Sequence, residues 1–252
     1  MKKLVPFLAC VAVLAMLALG GCSWDNSECA TCPEPVEDTE STDAWMDDHP
    51  LLTPGYPATI VWGDPETAKV HLVVVGDGAE ANYVSRLWRE SLSEVMKEFK
   101  PEDVCIFYVH YILGYDYSLR AGMAGEVARR HGNFRGFMSL LLTQGYVNED
   151  IIRRVALLSL EITEEDFIAE MKDLGVRERV IADDNFAKNV LDIRGVPTTV
   201  AINTDNDSIF RIHGAQDQRA YVDFIRRIFN GESPTPPPPE NYIQAAEIAA
   251  DK

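Results

Sequence analysis

Thiols are the first place to look for chemistry in this chain, which carries five cysteines. Cys29-Ala30-Thr31-Cys32 has the spacing of a dithiol centre, in which a thiolate attacks a disulfide sulfur. Glu28 and Glu34 flank it, and negative neighbours raise a thiol's pKa. No helix N-terminus is expected there to stabilise a thiolate. A passive disulfide between Cys29 and Cys32, or a pair of no consequence, is therefore the expected reading, with thiol–disulfide exchange as the alternative. The second candidate is the turn Gly76-Asp77-Gly78-Ala79-Glu80-Ala81-Asn82-Tyr83, which holds no cysteine, histidine, serine or lysine. Gly76-x-Gly78-x-x-Ala81 fits a dinucleotide fingerprint, yet Asp77 and Glu80 would face the pyrophosphate. The strand that follows ends in His110-Tyr111, with no acid for a ribose. His49, His71, His110, His131 and His213 show no paired metal spacing, and no Ser-His-Asp order or nucleophile elbow is visible. The residues assign no catalytic group, no metal and no cofactor.

The elements that position this turn are legible from periodicity. Val70 to Val75 is a β-branched apolar run, the composition of a buried strand. After the turn, Val84, Leu87, Trp88, Leu92, Val95, Met96 and Phe99 recur at helical spacing, and Asp77 with Glu80 is spaced as a capping box. Ala58 to Trp62 reads as a first strand and Val104 to Ile112 as a central one, with Cys105 a small buried hydrophobe. Ser118 to Leu191 is mostly helical, with pieces at Ala121 to Arg130, Phe134 to Leu142, Asn148 to Ser159, Thr163 to Leu174 and Ala182 to Asp192. Thr199 to Ile202 and Ser208 to His213 form a hairpin around Asn203-Thr204-Asp205-Asn206-Asp207. Tyr221, Phe224, Ile225, Ile228 and Phe229 make the apolar stripe of a last helix. Pro234 to Pro239 is a polyproline stretch expected to stay out of the core, and Asn241 to Lys252 a loose helix or none.

The flanks carry a different message. Lys2 and Lys3 precede the apolar run Leu4 to Leu19, too short for a comfortable membrane span, so residues 1–21 read as a signal peptide. Leu19-Gly20-Gly21-Cys22 resembles the bacterial lipobox, which implies lipidation at Cys22 and a membrane contact through that lipid. Ser23 after the cysteine favours the outer membrane, periplasmic side. Residues 22–55 are acidic, poor in apolar groups and without periodicity, the composition of a disordered spacer. A net charge of −17 argues against a nucleic-acid partner, because phosphate binding needs a basic surface.

Three further stretches carry a family resemblance. Gly63-Asp64-Pro65-Glu66-Thr67-Ala68-Lys69-Val70 resembles the entry into the second strand of DsbA-like thioredoxins. Tyr108-Val109-His110-Tyr111 followed by Ser118-Leu119-Arg120-Ala121 is similar to that family's third strand and the entry into its insertion. Phe186-Ala187-Lys188-Asn189 through Gly195-Val196-Pro197-Thr198-Thr199 resembles the helix and cis-proline loop opposite its active site. The resemblance implies an α/β thioredoxin-like fold over residues 56–230, a helical insertion at about 118–191, and a Pro-rich tail at 231–252.

The departure is as informative as the match. The family opens the helix after its second strand with Cys-x-x-Cys, and the first cysteine falls at or next to Glu80. This chain reads Glu80-Ala81-Asn82-Tyr83, a degenerate active-site position without a thiol. The cis-proline loop of the family offers backbone hydrogen bonds to an extended polypeptide, which transfers to Val196, Pro197 and Thr198. The expected function is a redox-inactive module, a pseudoenzyme that binds a protein or extended peptide in the cell envelope. The alternatives are an oxidoreductase working through Cys29/Cys32, and a structural component contacting its complex through the polyproline tail.

Overall fold

The computed structural model describes residues 59–244. The leader, Cys22, the linker with Cys29 and Cys32, and residues 245–252 lie outside the described residues. Strands β1 (Thr59–Trp62), β2 (Val70–Gly76), β3 (Val104–His110), β5 (Thr198–Asn203) and β6 (Ser208–His213) form one sheet in the order β1-β3-β2-β5-β6. The β2 and β3 strands run parallel, while β1 pairs antiparallel with β3, β5 with β2, and β6 with β5. Every residue of β2, β3 and β5 is buried, which is what a sheet covered on both faces demands of its inner strands.

The helix between β2 and β3 has three parts: α1 (Tyr83–Arg86), a π-helical segment Leu87–Leu92, and α2 (Ser93–Glu98). The helical insertion contains α3 (Ser118–Arg130), α4 (Phe134–Leu141), α5 (Glu149–Ser159), α6 (Glu164–Glu170), α7 (Leu174–Asn185) and a second π-helical segment Phe186–Val190. The run read as one helix from Thr163 to Leu174 is shorter, because Asp173 caps a new one. Its Oδ1 accepts from the Gly175 amide at 2.8 Å, and Arg130 donates to its Oδ2 at 2.6 Å. The stretch 174–181 therefore continues into the segment expected to begin at Ala182.

Sheet and insertion share one hydrophobic cluster. At its centre Phe134 of α4 lies against Trp88, Tyr108 and His110, with ring centroids 6.4, 5.3 and 5.8 Å away. Trp88 also donates its indole N–H to Ser139 Oγ at 2.9 Å, tying the helix after β2 to α4. On the same face of the sheet α8 (Gln218–Phe229) buries Tyr221, Val222, Phe224, Ile225 and Ile228, and its Tyr221 hydroxyl donates to Thr199 Oγ1 at 2.9 Å; Thr199 and Tyr108 both lie opposite Val74. Among the described residues no helix is long and apolar enough to cross a membrane.

The C-terminal segment differs from its polyproline composition. Pro234 is buried, and β7 (Ile243–Gln244) is a strand paired antiparallel with β4 (Gly195–Val196). Phe134→Ala should lower stability by about 3–5 kcal/mol in denaturant unfolding, the usual cost of emptying a buried aromatic site. A cost under about 1 kcal/mol would mean that the insertion and the sheet do not share a core.

Candidate functional site

The parallel pairing of β2 with β3 brings Gly76 opposite His110, and the antiparallel pairing of β2 with β5 brings Val75 opposite Thr198. The turn after β2, the segment after β3 and the loop before β5 therefore meet at one end of the sheet. Brought to that end are Glu80, Ala81, Asn82 and Tyr83 from the turn, and Val196, Pro197 and Thr198 from the loop. The Val196–Pro197 peptide is cis.

Carboxylates organise the turn. Glu80 is buried, and its side chain accepts three backbone amides at the start of α1: Asn82 at 3.1 Å, Tyr83 at 2.7 Å and Val84 at 2.8 Å. These are the orphan donors that every helix N-terminus presents. Asp77 does something else. Its Oδ1 accepts from Ala79 N at 2.8 Å and its Oδ2 from Leu113 N at 2.9 Å, so it binds the segment after β3 to the turn. The expected capping box is thus replaced by a division of labour: Glu80 caps the helix alone and Asp77 makes the tertiary contact. Burial pushes Asp77 up to about 6, opposed by Ser118 and the two amides and helped by the charge of Glu80.

Beside the turn a cavity of about 240 Å³ is lined by Glu80, Ala81 and Asn82 on one side and by Tyr115, Tyr117 and Tyr146 on the other. Val196, Pro197 and Thr198 are not among its lining residues. Burial, with the charges of Glu80 and Asp77 behind it, raises the Tyr115 phenol above its ordinary range. The composition of the turn gave no hint of these tyrosines, because they come from loops far along the chain.

The loop before β5 is held from both sides. The Thr198 hydroxyl donates to Gly195 O at 2.9 Å and stands 3.3 Å from His213 Nδ1, while Gly214 N donates to Pro197 O at 2.8 Å. Lys188, from the Phe186-Ala187-Lys188-Asn189 stretch, donates to Ile112 O at 3.1 Å and Asp184 Oδ2 at 2.8 Å, and lies over the Tyr111 ring. The free backbone edge at Gly195–Val196 is taken by Ile243–Gln244 of the chain itself. Sequence reasoning missed this occupant, since two strand residues after a polyproline run give no periodic signal.

Cys105 is the one cysteine among the described residues, and it is buried beside Ala68 and Phe107. Burial, then the charge of Asp64, pushes its thiol up to about 12. It lies five residues before His110 on β3, about 17 Å from the site end of the sheet at the usual strand rise. Among the described residues no cluster of histidine, cysteine and carboxylate groups is placed to hold a metal ion.

No protein-family profile matches the chain, and no curated protein matches it by sequence. Solved structures do match. An α-DsbA1 of Wolbachia pipientis aligns with a TM-score of 0.62 at 17% identity, over 72% of this chain and 95% of its own. A periplasmic thioredoxin-like protein of Salmonella enterica serovar Typhimurium gives 0.59 at 15% identity, over 76% and 99%. Oxidised BdbD of Bacillus subtilis gives 0.58 at 17% identity, over 69% and 94%. The fold is that of DsbA-like thioredoxin domains.

Two outcomes follow for the DsbA-like domain. An unfolded aspartate titrates near 3.8, so the native protein holds an extra proton at Asp77 between about pH 4 and 6. Asp77 therefore contributes stability that is fully present below pH 4 and is lost as pH rises through 6. The difference corresponds to about 3 kcal/mol for this buried group. Unfolding curves from pH 4 to 7 should show this decline, and Asp77→Asn should flatten it; an unchanged slope would assign it to other groups. Separately, in a Cys29→Ser/Cys32→Ser protein the Cys105 thiol should resist a thiol reagent at pH 8 until denaturant is added, whereas prompt labelling of the native protein would contradict its burial.

Proposed function

We propose that this chain is a lipid-anchored envelope protein whose DsbA-like domain performs no thiol chemistry and binds an extended segment of a partner protein. The observation that carries the reading is Glu80. A helix N-terminus that stabilises an anion is the setting in which a cysteine becomes a reactive thiolate. Here a carboxylate from the chain already accepts the Asn82, Tyr83 and Val84 amides. A carboxylate in that setting satisfies the helix but cannot form a mixed disulfide. The buried Cys105 thiol, with its pKa raised to about 12, offers no substitute.

Binding rests on the other half of the site. Gly195–Val196 presents a strand edge, and an edge of this kind takes up an extended peptide through main-chain hydrogen bonds. Ile243–Gln244 pairing there supports that reading, since it is an extended segment in that position. Location rests on the sequence: the basic start, the short apolar run and Leu19-Gly20-Gly21-Cys22 support export and lipidation at Cys22. The Salmonella neighbour is a periplasmic protein, which agrees with it.

The test is insulin reduction by soluble protein beginning at Ser23, beside its Cys29→Ser/Cys32→Ser form. Neither should accelerate reduction above the dithiol-only background. Activity in the parent that disappears in the double variant would overturn the non-catalytic reading and make the linker pair the redox centre. In cells, Cys22→Ser should move the protein from the membrane fraction to the soluble one.

A further inference from the structure

The C-terminal segment is seated on the strand edge in a way that chance packing does not require. From Pro238 to Gln244 it is held at successive points. Gln216 Nε2 donates to Pro238 O at 3.0 Å, and Glu240 N donates to His213 O at 3.4 Å. Asn241 is gripped twice by one residue: its side-chain amide donates to Ala215 O at 3.0 Å, and its carbonyl accepts from Ala215 N at 3.3 Å. The Tyr242 ring meets His213 edge-on at 5.4 Å, and Ile243 is partly buried against the core cluster while pairing with Val196.

The domain side is shaped for this contact. A Cβ built on Gly195 would run into the Ile243 carbonyl oxygen and the Tyr242 ring, and its three nearest heavy atoms all belong to the segment. A Cβ on Gly214 would run into the Glu240 backbone in the same way. Gly195 lacks a side chain at a place where the nearest obstacles are atoms of the C-terminal segment. The contact is nevertheless small: two strand residues and a few hydrogen bonds, on a segment that is otherwise mostly exposed. Elements with few buried apolar contacts open at low free energy.

Resting on the peptide-binding reading above, we infer that residues 238–244 are a resident, displaceable occupant of the Gly195–Val196 edge. They report the chemistry of the external partner: an extended protein segment carrying an asparagine, an aromatic and a β-branched residue in succession. Asparagine supplies the double contact to Ala215, the aromatic ring lies on His213, and the β-branched residue pairs with Val196. A partner segment must compete with a tethered copy of its own pattern. The local concentration of a segment on a short tether is of the order of millimolar, so only a better match, or one presented at high density, opens the edge.

The experiment uses the protein from Ser23 to Lys252, a form ending at Glu232, and a full-length Tyr242→Ala/Ile243→Ala form that loosens the segment but leaves the edge intact. The probe is a fluorescent peptide of residues 236–244, read by anisotropy; circular dichroism confirms that each protein is folded. Both opened forms should bind the peptide at least tenfold more tightly than the parent. Adding Gly195→Ala to the full-length opened form should abolish the gain, because the new methyl group occupies the place of the Ile243 carbonyl.

A second probe, reduced and carboxymethylated α-lactalbumin as a permanently unfolded polypeptide, separates the two levels of the argument. If all forms bind it alike and the opened forms gain nothing for the peptide, the resident-occupant inference falls and the peptide-binding reading survives. If no folded form binds either probe, both fall. A gain in the opened forms that Gly195→Ala leaves intact would place the peptide elsewhere and overturn the inference.

Discussion

Backbone amides at one end of the sheet need acceptors, and buried carboxylates supply them. Where β2 and β3 end, the chain leaves the ladder and its N–H groups lose their strand partners, a state that costs free energy when water is excluded. Asp77 takes Leu113, Asp184 takes Ile112 at 2.7 Å, Asp183 takes His110 at 3.2 Å, and Glu80 takes the first amides of the helix. Two of these charges have cationic partners from the same helical segment, Arg179 on Asp183 and Lys188 on Asp184. The turn, the end of β3 with the segment after it, and the insertion hold their mutual positions through this set of contacts. None of them involves sulfur.

A carboxylate can thus hold the helix start in this fold without a dithiol. A thiolate at a helix N-terminus is both an anion and a nucleophile; a carboxylate in that setting retains the first property only. The Glu80 side chain meets three of the amides at the helix start, so this turn is held together without a thiol.

How much could be read from residue order alone depended on the range of the interaction. Strands β2, β3 and β5 announced themselves because a buried strand needs an unbroken run of β-branched and aromatic side chains, and such runs are local. The start of α6 was equally clear, since Thr163 caps it through the Asp166 amide three residues on. Asp77 and Glu80 were legible as capping types but not in their roles, because the Leu113 amide that claims Asp77 lies 36 residues away. The tyrosines facing the turn come from the segment after β3 and from the insertion, and the segment at 238–244 is placed by Gly195 and Ala215, which no periodicity connects to it. The helix starting at Leu174 was hidden by a continuous apolar pattern across Asp173, where a single capping side chain ends one helix and begins the next.

The π-helical segment Leu87–Leu92 has a consequence for how this scaffold can change length. An α-helix advances about 100° per residue, and a π turn absorbs one extra residue without unwinding the rest. Leu87, Trp88 and Leu92 before the junction and Val95 after it are all buried. Deleting one residue within the segment would let the helix relax to α geometry with Val95 still turned to the core, whereas the same deletion in a regular α turn would swing everything beyond it by about 100° around the axis. The π turn is therefore the place where this helix can lose a residue and keep its buried face on the core.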